Sequence, residues 1–242
     1  MATMAIESRR ARLHPDRVFF PAMCLLMLVT IWLGFAKTYY AAGLVRAPLP
    51  APIIHVHAAV FTLWLLTLVV QIALVSARKV KLHMAVGLWG FGLAGAMVVV
   101  GVLAAINALR RNMSPLGSGL SALTFFAVPI FTISLFAVMA AWSYSQRRRP
   151  DYHKRLMLIA NIGLMVPAIG RFPYTLMPMG PMAQHLILFS FLAIAVIYDL
   201  VTLHKVHRAT WQGSLLTVVV TLATIPVGMT PVWQHFAQWV HG

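Results

Sequence analysis

Four histidines are the residues of this chain best suited to bind a metal or a cofactor. They lie inside apolar runs or at the ends of such runs. They are His57, His83, His153 and His185. A polar group within lipid is costly, so such side chains are expected to face protein, water or a cofactor. Imidazoles that project inward from separate helices of a bundle are suitable axial ligands for a haem iron. The four histidines therefore indicate a haem site inside a membrane-embedded bundle.

Two of these histidines share a helix face with another polar residue. Positions seven or fourteen apart lie on nearly the same side of a helix. His57 therefore shares a face with Gln71. In the same way, His185 shares a face with Asp199. We expect Gln71 or Asp199 to orient the second ring nitrogen of a ligand histidine.

A second group of metal-binding side chains lies in the segment Met177-Pro-Met179-Gly-Pro-Met182-Ala-Gln-His185. Thioether and imidazole ligands at short spacing suit Cu(I). Methionine is also a common gap filler in apolar cores, and the chain contains 14 methionines. Copper bound by Met177, Met179 and Met182 is therefore an alternative to haem.

The composition places these residues in a membrane protein. Of the 242 residues, 61% are hydrophobic and 10% are charged, against about 25% charged residues in a soluble domain. A soluble fold cannot bury this much apolar surface, so lipid must be the solvent for much of it. The net charge is +15, and the charged residues lie between the apolar runs. This position indicates that the positive residues set the membrane topology, and it argues against nucleic acid as a partner.

Seven apolar runs are long enough to cross a bilayer, which takes about 20 residues. They predict an all-α, polytopic bundle of seven transmembrane helices, with residues 1–16 as a basic tail and residues 17–242 as one transmembrane domain. The predicted spans are residues 18–36, 53–75, 84–107, 120–143, 155–172, 183–203 and 213–234.

The distribution of Lys and Arg predicts the orientation, because cytoplasmic loops are enriched in both residues. One set of segments carries 14 of the 19 Lys and Arg residues, and the other set carries five. The N-terminus is therefore expected in the cytoplasm and the C-terminus outside. The richer set comprises Arg9, Arg10, Arg12, Arg17, Arg78, Lys79, Lys81, Arg147, Arg148, Arg149, Lys154, Arg155, Lys205 and Arg208.

This topology sorts the polar residues into an outer and an inner tier. The outer tier holds His57, His185 and Arg171, and the inner tier holds His83, His153, Gln71 and Asp199. Each tier has two histidines from different spans, so one or two b-type haems are expected. His83 and His153 would ligate the inner iron, and the other two histidines would ligate the outer iron. Arg171 is expected to meet a haem propionate or another anion.

A longer set of residues carries a resemblance to known proteins. It comprises His55-Val-His57, Phe61, Trp64, Gln71, Arg78, His83 and Gly87, followed by His153-Lys-Arg-Leu-Met-Leu-Ile-Ala and Arg171. The set resembles a group of bacterial multi-pass membrane proteins with histidine-rich spans. The two tiers are more distantly similar to transmembrane two-haem b-type cytochromes of the ascorbate- and ferric-reductase kind. The resemblance covers spans 2 to 6 and implies electron transfer across or within the bacterial inner membrane, between a quinone or cytoplasmic donor and a periplasmic acceptor.

Three other interpretations stay open. A histidine at the end of a span beside Lys or Arg, such as His83 or His153, is also typical of a residue that meets lipid phosphate. The chain also fits a non-enzymatic accessory or assembly subunit of a respiratory membrane complex, in which the methionine segment would handle copper. A small transporter would use Asp199 as a proton carrier.

Overall fold

The structure, a computed structural model, describes residues 15–41, 51–114, 119–172 and 181–242. Within these ranges the chain is helical and forms no strand. The helices are α1 (Asp16–Phe35), which continues into a π-helical turn (Ala36–Tyr40), α2 (Pro52–Ser76), α3 (Val80–Arg110), α4 (Ala122–Phe125), α5 (Ala127–Ser145), α6 (Pro150–Gly163), α7 (Val166–Ile169), α8 (Pro181–Leu203), α9 (Arg208–Gly228) and α10 (Pro231–His241).

Six helical segments of the described chain are long and apolar enough to cross a membrane. They are Asp16–Tyr40, Pro52–Ser76, Val80–Arg110, Ala122–Ser145, Met182–Leu203 and Arg208–Gly228. Many of their large hydrophobic side chains are exposed, as expected where lipid replaces water as the solvent. The described part of the chain is therefore all-helical, the protein is a multi-pass membrane protein, and six of the seven predicted spans overlap these segments.

The last of these segments ends earlier than the sequence predicted. The predicted span ran to residue 234, but α9 ends at Gly228 and α10 begins at Pro231. Proline has no N–H to donate to the preceding turn, so a helix stops before it and a new helix starts with proline in its first turn. The Thr230 hydroxyl accepts a hydrogen bond from the backbone N–H of Trp233 at 3.3 Å and caps the new helix.

The predicted fifth span, residues 155–172, is not one of the six segments. It corresponds to α6 and α7, which are separated by a break at residues 164–165. Lys154, Arg155 and Asn161 lower the hydropathy of α6. Arg155 and Asn161 are only 5% and 4% exposed, so neighbouring helices shield these two polar side chains from lipid.

α6 and α7 lie beside α1 over its whole length. Near the start of both helices, Nζ of Lys154 lies 2.9 Å from Oδ2 of Asp16. Near the end of α1, Gly34 packs so closely on the backbone of Ala168 in α7 that a Cβ would overlap its carbonyl oxygen. Asp16 and Gly34 are ~27 Å apart along a helix that rises about 1.5 Å per residue. The α6–α7 segment therefore runs parallel to α1 from one end to the other.

The centre of the bundle is packed around α5 and α6. Phe136 of α5 and Leu156 and Ile162 of α6 are at most 1% exposed. α2 is peripheral, and Trp64 is its one buried side chain. The indole N–H of Trp64 donates to Oδ1 of Asn161 in α6 at 2.8 Å. This bond fixes which face of α2 is turned towards the bundle, and so positions the polar residues of that face.

Candidate functional site

The two ends of the bundle differ in the loops that they carry. The basic end carries residues 77–79, 146–149 and 204–207. At this end, His83 near the start of α3 and His153 near the start of α6 lie with their ring centroids 6.3 Å apart and their planes at 78°. The structure therefore brings together the two histidines that were predicted to share the inner iron.

Ser143 holds the His153 ring from the last turn of α5. Nδ1 of His153 lies 2.9 Å from Oγ and 3.1 Å from the carbonyl oxygen of Ser143. The Ser143 hydroxyl donates to the carbonyl oxygen of His153 at 3.1 Å. Because the Ser143 carbonyl can only accept, Nδ1 carries the ring proton and Nε2 keeps a lone pair. This tautomer is the one that ligates a metal through Nε2.

Gln71 of α2 holds the His83 ring. With its amide oriented so that each donor meets an acceptor, Nε2 of Gln71 donates to Nδ1 and to the carbonyl oxygen of His83. Oε1 of Gln71 then accepts from the backbone N–H of Gly87 at 2.7 Å. Since Nδ1 of His83 is an acceptor here, the ring proton lies on Nε2. Gln71 therefore contacts Nδ1 of His83 and orients the ring from that side.

The two rings are consequently in different tautomers. A metal bound between them needs a lone pair on Nε2 of each ring. His153 already offers one, whereas His83 has to transfer its proton from Nε2 to Nδ1. The Gln71 amide then has to turn so that its oxygen accepts the new N–H, and in that orientation its oxygen also faces the His83 carbonyl and its NH2 group faces the Gly87 N–H. Metal binding by His83 therefore requires Gln71 to give up its two hydrogen bonds to the backbone.

Aromatic side chains form one wall of this site. Phe91 of α3 packs edge-on against Tyr144 of α5, with 4.6 Å between the ring centroids. The Phe91 ring also lies 6.3 Å from the His153 ring. The histidine pair is therefore bordered by apolar surface on this side, which lowers the local dielectric constant and strengthens the hydrogen bonds that orient the rings.

Ser143 was not among the residues that the sequence predicted for the site. It is a serine near the end of an apolar run, and such a serine often bonds a carbonyl of its own helix. Its partner lies ten positions further along the chain, across the turn between α5 and α6. The one sequence signal that could have identified Ser143 is its position: it is a small polar residue just before a short loop, and the loop leads to the candidate ligand His153.

The two histidines predicted for the outer iron lie at the opposite end of the bundle. The His57 ring stacks on Phe61 with 4.0 Å between centroids, and the His185 ring lies 5.8 Å from that of Phe189. No ring contact between His57 and His185 occurs in the described part of the chain. An outer haem held by these two residues stays a prediction, which the described contacts do not support.

Arg171 lies at the same end as His57. Its guanidinium is stacked over the ring of Phe35 at 4.7 Å, and Nη1 donates to the carbonyl oxygen of Pro167 at 2.6 Å. Neither of these contacts involves His57, so the binding of a haem propionate or another anion by Arg171 stays a prediction.

Asp199 has partners other than the predicted ligand histidines. Oδ1 accepts from Nε and Nη2 of Arg155 at 2.9 and 2.6 Å. Oδ2 accepts from the Thr210 hydroxyl and from the backbone N–H of His207. Asp199 is 1% exposed. Its carboxylate therefore links α6, α8 and the start of α9, and both of its oxygens are already hydrogen-bonded.

The predicted copper site falls largely outside the structure. Met177 and Met179 lie outside the described residues, and Met182, in the first turn of α8, is 57% exposed. Within the described ranges, no group of three or more His, Cys, Asp or Glu side chains is arranged to hold a metal ion. Copper binding by the methionine segment stays a prediction.

Comparisons of the chain with protein family models, with curated proteins and with solved structures found no match. The histidine pair at the basic end is consequently the feature from which a function has to be inferred. It combines two candidate ligands, two residues that orient them and an apolar wall.

Proposed function

We propose that this protein is a membrane-embedded redox protein that binds a b-type haem between His83 and His153. One observation carries the proposal: the two imidazoles come from different helices and lie with their ring centroids 6.3 Å apart. Each ring is held at Nδ1, His83 by Gln71 and His153 by Ser143. Nε2 of His153 therefore keeps a lone pair for the iron, and Nε2 of His83 would have to lose its proton before it could bind.

The separation of the rings supports two ligands on one iron. A metal takes an imidazole nitrogen at about 2.0–2.1 Å, and the ring centroid lies roughly 1.1 Å behind that nitrogen. Two such rings on opposite sides of one iron have centroids about 6.3 Å apart. The observed separation of 6.3 Å agrees with this value. The type and the spacing of the two residues therefore support the proposal.

The number of protein ligands favours haem over a bare metal ion. A structural Zn²⁺ site takes four protein ligands. The described residues offer two histidines here and no larger cluster of His, Cys, Asp or Glu. A haem brings four ring nitrogens of its own and needs only axial ligands from the protein. Two histidines are therefore sufficient for haem.

The Lys and Arg bias supports a cytoplasmic location for the basic end. In this topology the α6–α7 segment is a seventh crossing, because its contacts with α1 extend from Asp16 to Gly34. The N-terminus then lies in the cytoplasm, and the C-terminus lies on the outer side of the bacterial inner membrane. The haem lies near the cytoplasmic surface, within reach of a cytoplasmic donor or of a quinone in the inner leaflet.

A bound b-type haem supplies one-electron oxidation and reduction. Ser143 keeps the proton of His153 on Nδ1, so that Nε2 remains free. Gln71 would accept a hydrogen bond from Nδ1–H of His83 once its amide had turned. Phe91 and Tyr144 limit the access of water, which together with these hydrogen bonds tunes the reduction potential.

The optical spectrum of the purified protein tests the proposal. A dithionite-reduced minus oxidised spectrum is expected to show the α-band of a b-type haem. His83→Ala and His153→Ala are each expected to abolish the band. His235→Ala, at an exposed position of α10, is expected to retain it. No band in protein produced with an ample haem supply, or an equal loss in all three variants, would exclude the proposal.

Metal analysis of the same preparation separates this protein from a copper-handling accessory subunit. Haem iron without copper is the expected result. Stoichiometric copper that disappears when Met177 and Met179 are replaced would instead identify the methionine segment as the metal site. In that case, the histidine pair would have no role in binding the metal.

A further inference from the structure

α10 is too short to cross a membrane and lies at the end of the bundle opposite the basic loops. Its 11 residues (Pro231–His241) extend ~16 Å, about half of the thickness of the hydrocarbon core. At its start, the indole N–H of Trp233 donates to the carbonyl oxygen of Leu123 at 2.9 Å. Near its end, the carbonyl oxygen of Val240 accepts from Nε of Arg110 at 3.4 Å. Leu123 lies in the first turn of α4 and Arg110 is the last residue of α3, so both ends of α10 are at one level of the bundle.

The middle of α10 is packed at the same level. Ala237 is 0% exposed and shares a small apolar cluster with Leu109 of α3 and Phe126, which joins α4 to α5. The start of α10 is fixed by the end of α9, because a Cβ at Gly228 would lie only 2.9 Å from the carbonyl oxygen of Thr124 in α4. α10 therefore runs across the ends of the neighbouring helices and does not project away from them.

Contacts with the bundle also fix how α10 is rotated about its own axis. The ring of Trp233 lies 5.6 Å from that of Phe131, which is in the second turn of α5. Nε2 of Gln234 instead donates to Oγ1 of Thr124 at 3.0 Å and to the carbonyl oxygen of Gly228, and both of these residues are at helix ends. Trp233 therefore marks the side of α10 that faces the membrane interior, and Gln234 marks the side that faces water.

Three large apolar side chains form an exposed stripe along α10, since positions three, four or seven apart share a helix face. They are Val232, Phe236 and Trp239. The ring of Phe236 lies 5.4 Å from that of Trp233, so the stripe adjoins the side that faces the membrane interior. Val232 and Trp239 are 80% and 79% exposed. Gln238, four positions after Gln234, is exposed on the side that faces water.

We propose that α10 is an interfacial helix, which lies flat in the boundary between hydrocarbon and water with Val232, Phe236 and Trp239 in contact with lipid. Such a helix places its apolar side among the headgroups and acyl chains and keeps its polar side in water. Tryptophan is enriched at this level of a membrane. A protein that approached from the aqueous phase would meet the polar side of α10, so the rotation of the helix favours lipid as the occupant of the stripe. The inference does not involve the histidine pair and is independent of any haem.

Spin labels attached to single cysteines measure the position of α10 in the full-length protein. Cys24 is the one cysteine of the chain, so Cys24→Ala provides the background. Labels are introduced through Val232→Cys and Trp239→Cys in the stripe and through Gln238→Cys on the polar side. Val219→Cys, at an exposed position of α9, is the reference for a label in hydrocarbon. The protein is reconstituted in vesicles of phosphatidylcholine and phosphatidylglycerol, and each label is tested for collisions with oxygen, which concentrates in lipid, and with a water-soluble nickel complex.

Labels at positions 232 and 239 are expected to collide preferentially with oxygen, as the reference does, and the label at position 238 with the nickel complex. Both stripe positions are exposed, so the substitutions remove no packing contact in the bundle. Because the helix lies flat, the depths at positions 232 and 239 are expected to differ by less than half of the ~10 Å that separates these residues along the helix axis.

Two results would overturn the proposal. Preferential collisions with the nickel complex at positions 232 and 239, or a depth difference close to ~10 Å, would show that α10 projects into water. Immobilised labels that neither reagent reaches would show that a second copy of the chain or another protein covers the stripe in place of lipid.

Discussion

Two nitrogens of Arg155 donate to the same oxygen of Asp199, with Nε at 2.9 Å and Nη2 at 2.6 Å. The two side chains are 6% and 1% exposed. The second carboxylate oxygen binds Thr210 and the backbone of His207, so the pair joins α6, α8 and the start of α9. A charge pair buried this completely is stable only as a pair, because either partner alone is an uncompensated buried charge.

Asp199→Asn is accordingly expected to lower the free energy of unfolding by about 3–5 kcal/mol. The measurement is denaturant or thermal unfolding of the protein in detergent micelles. Lys154→Met is the control, since its contact with Asp16 involves side chains that are 25% and 29% exposed. It is expected to change stability by at most about 1 kcal/mol. Equal losses in the two variants would show that burial does not determine the strength of these pairs.

His207 is expected to make stability depend on pH. Its Nδ1 accepts from the backbone N–H of Ala209 at 3.1 Å and caps α9. Burial, together with the nearby charge of Arg155, lowers the pKa of His207 from its ordinary value of about 6.5. The folded state therefore prefers the neutral ring, so this contribution to stability is present above about pH 6.5 and is lost as the pH falls through the lowered pKa.

The unfolding midpoint of the wild type should thus fall between about pH 7.5 and pH 5. His207→Asn retains a side-chain acceptor for the cap but does not titrate in this range. Its midpoint is expected to fall less over the same interval. An identical pH profile for the variant and the wild type would assign the effect to other groups.

Gly34→Ala tests the close contact between α1 and α7. A Cβ at this position would overlap the Ala168 carbonyl oxygen, so the two helices have to separate. The expected loss is about 1–3 kcal/mol of stability, measured by thermal unfolding. Gly95→Ala is the matched control, because nothing lies within 4 Å of its Cβ position. The control is expected to be neutral, or more stable by up to about 1 kcal/mol.

Gln71→Glu is expected to lower the midpoint potential of the proposed haem. A carboxylate accepts the Nδ1–H of His83 more strongly than an amide does, which makes the ring a better donor to ferric iron. A tenfold change in the preference for ferric over ferrous iron corresponds to about 59 mV for one electron, and a shift of about this size is expected. Spectroelectrochemical titration measures it.

Gln71→Leu provides the opposite comparison, since it removes the acceptor altogether. Its potential is expected to rise relative to the wild type, because His83 is then the weaker donor. Equal potentials in all three proteins would mean that Gln71 does not act on a haem ligand.

The architecture could be predicted where a single apolar run decides the structure. The predicted spans 53–75 and 84–107 lie within α2 and α3 because each run is long and free of charge. The segment around Arg155 and Asn161 is different, since its polar side chains are shielded by other helices. Its path along α1 depends on contacts with Asp16 and Gly34 that no local pattern reveals.

The same contrast between local sequence pattern and helix packing applies to the two tiers of histidines. His83 and His153 each follow a basic loop at the start of a helix, so their shared depth could be derived from the sequence. Their lateral proximity depends on the packing of α3 and α6 against α5, which depth alone does not determine. For His57 and His185 the predicted depth is similar, but the described contacts of each ring are with its own helix.

The shielded position of α6 has a consequence for how the chain is made. Arg155 leaves the ribosome 44 residues before Asp199, and an unpaired arginine makes an isolated apolar segment costly to insert. α6 therefore has to remain at the membrane surface or beside the insertion machinery until α8 supplies the carboxylate. With the proposed seven crossings, we expect the helices to settle in the bilayer in an order that differs from the order of their synthesis. A nascent chain that stops before Asp199 would leave Arg155 without its carboxylate partner.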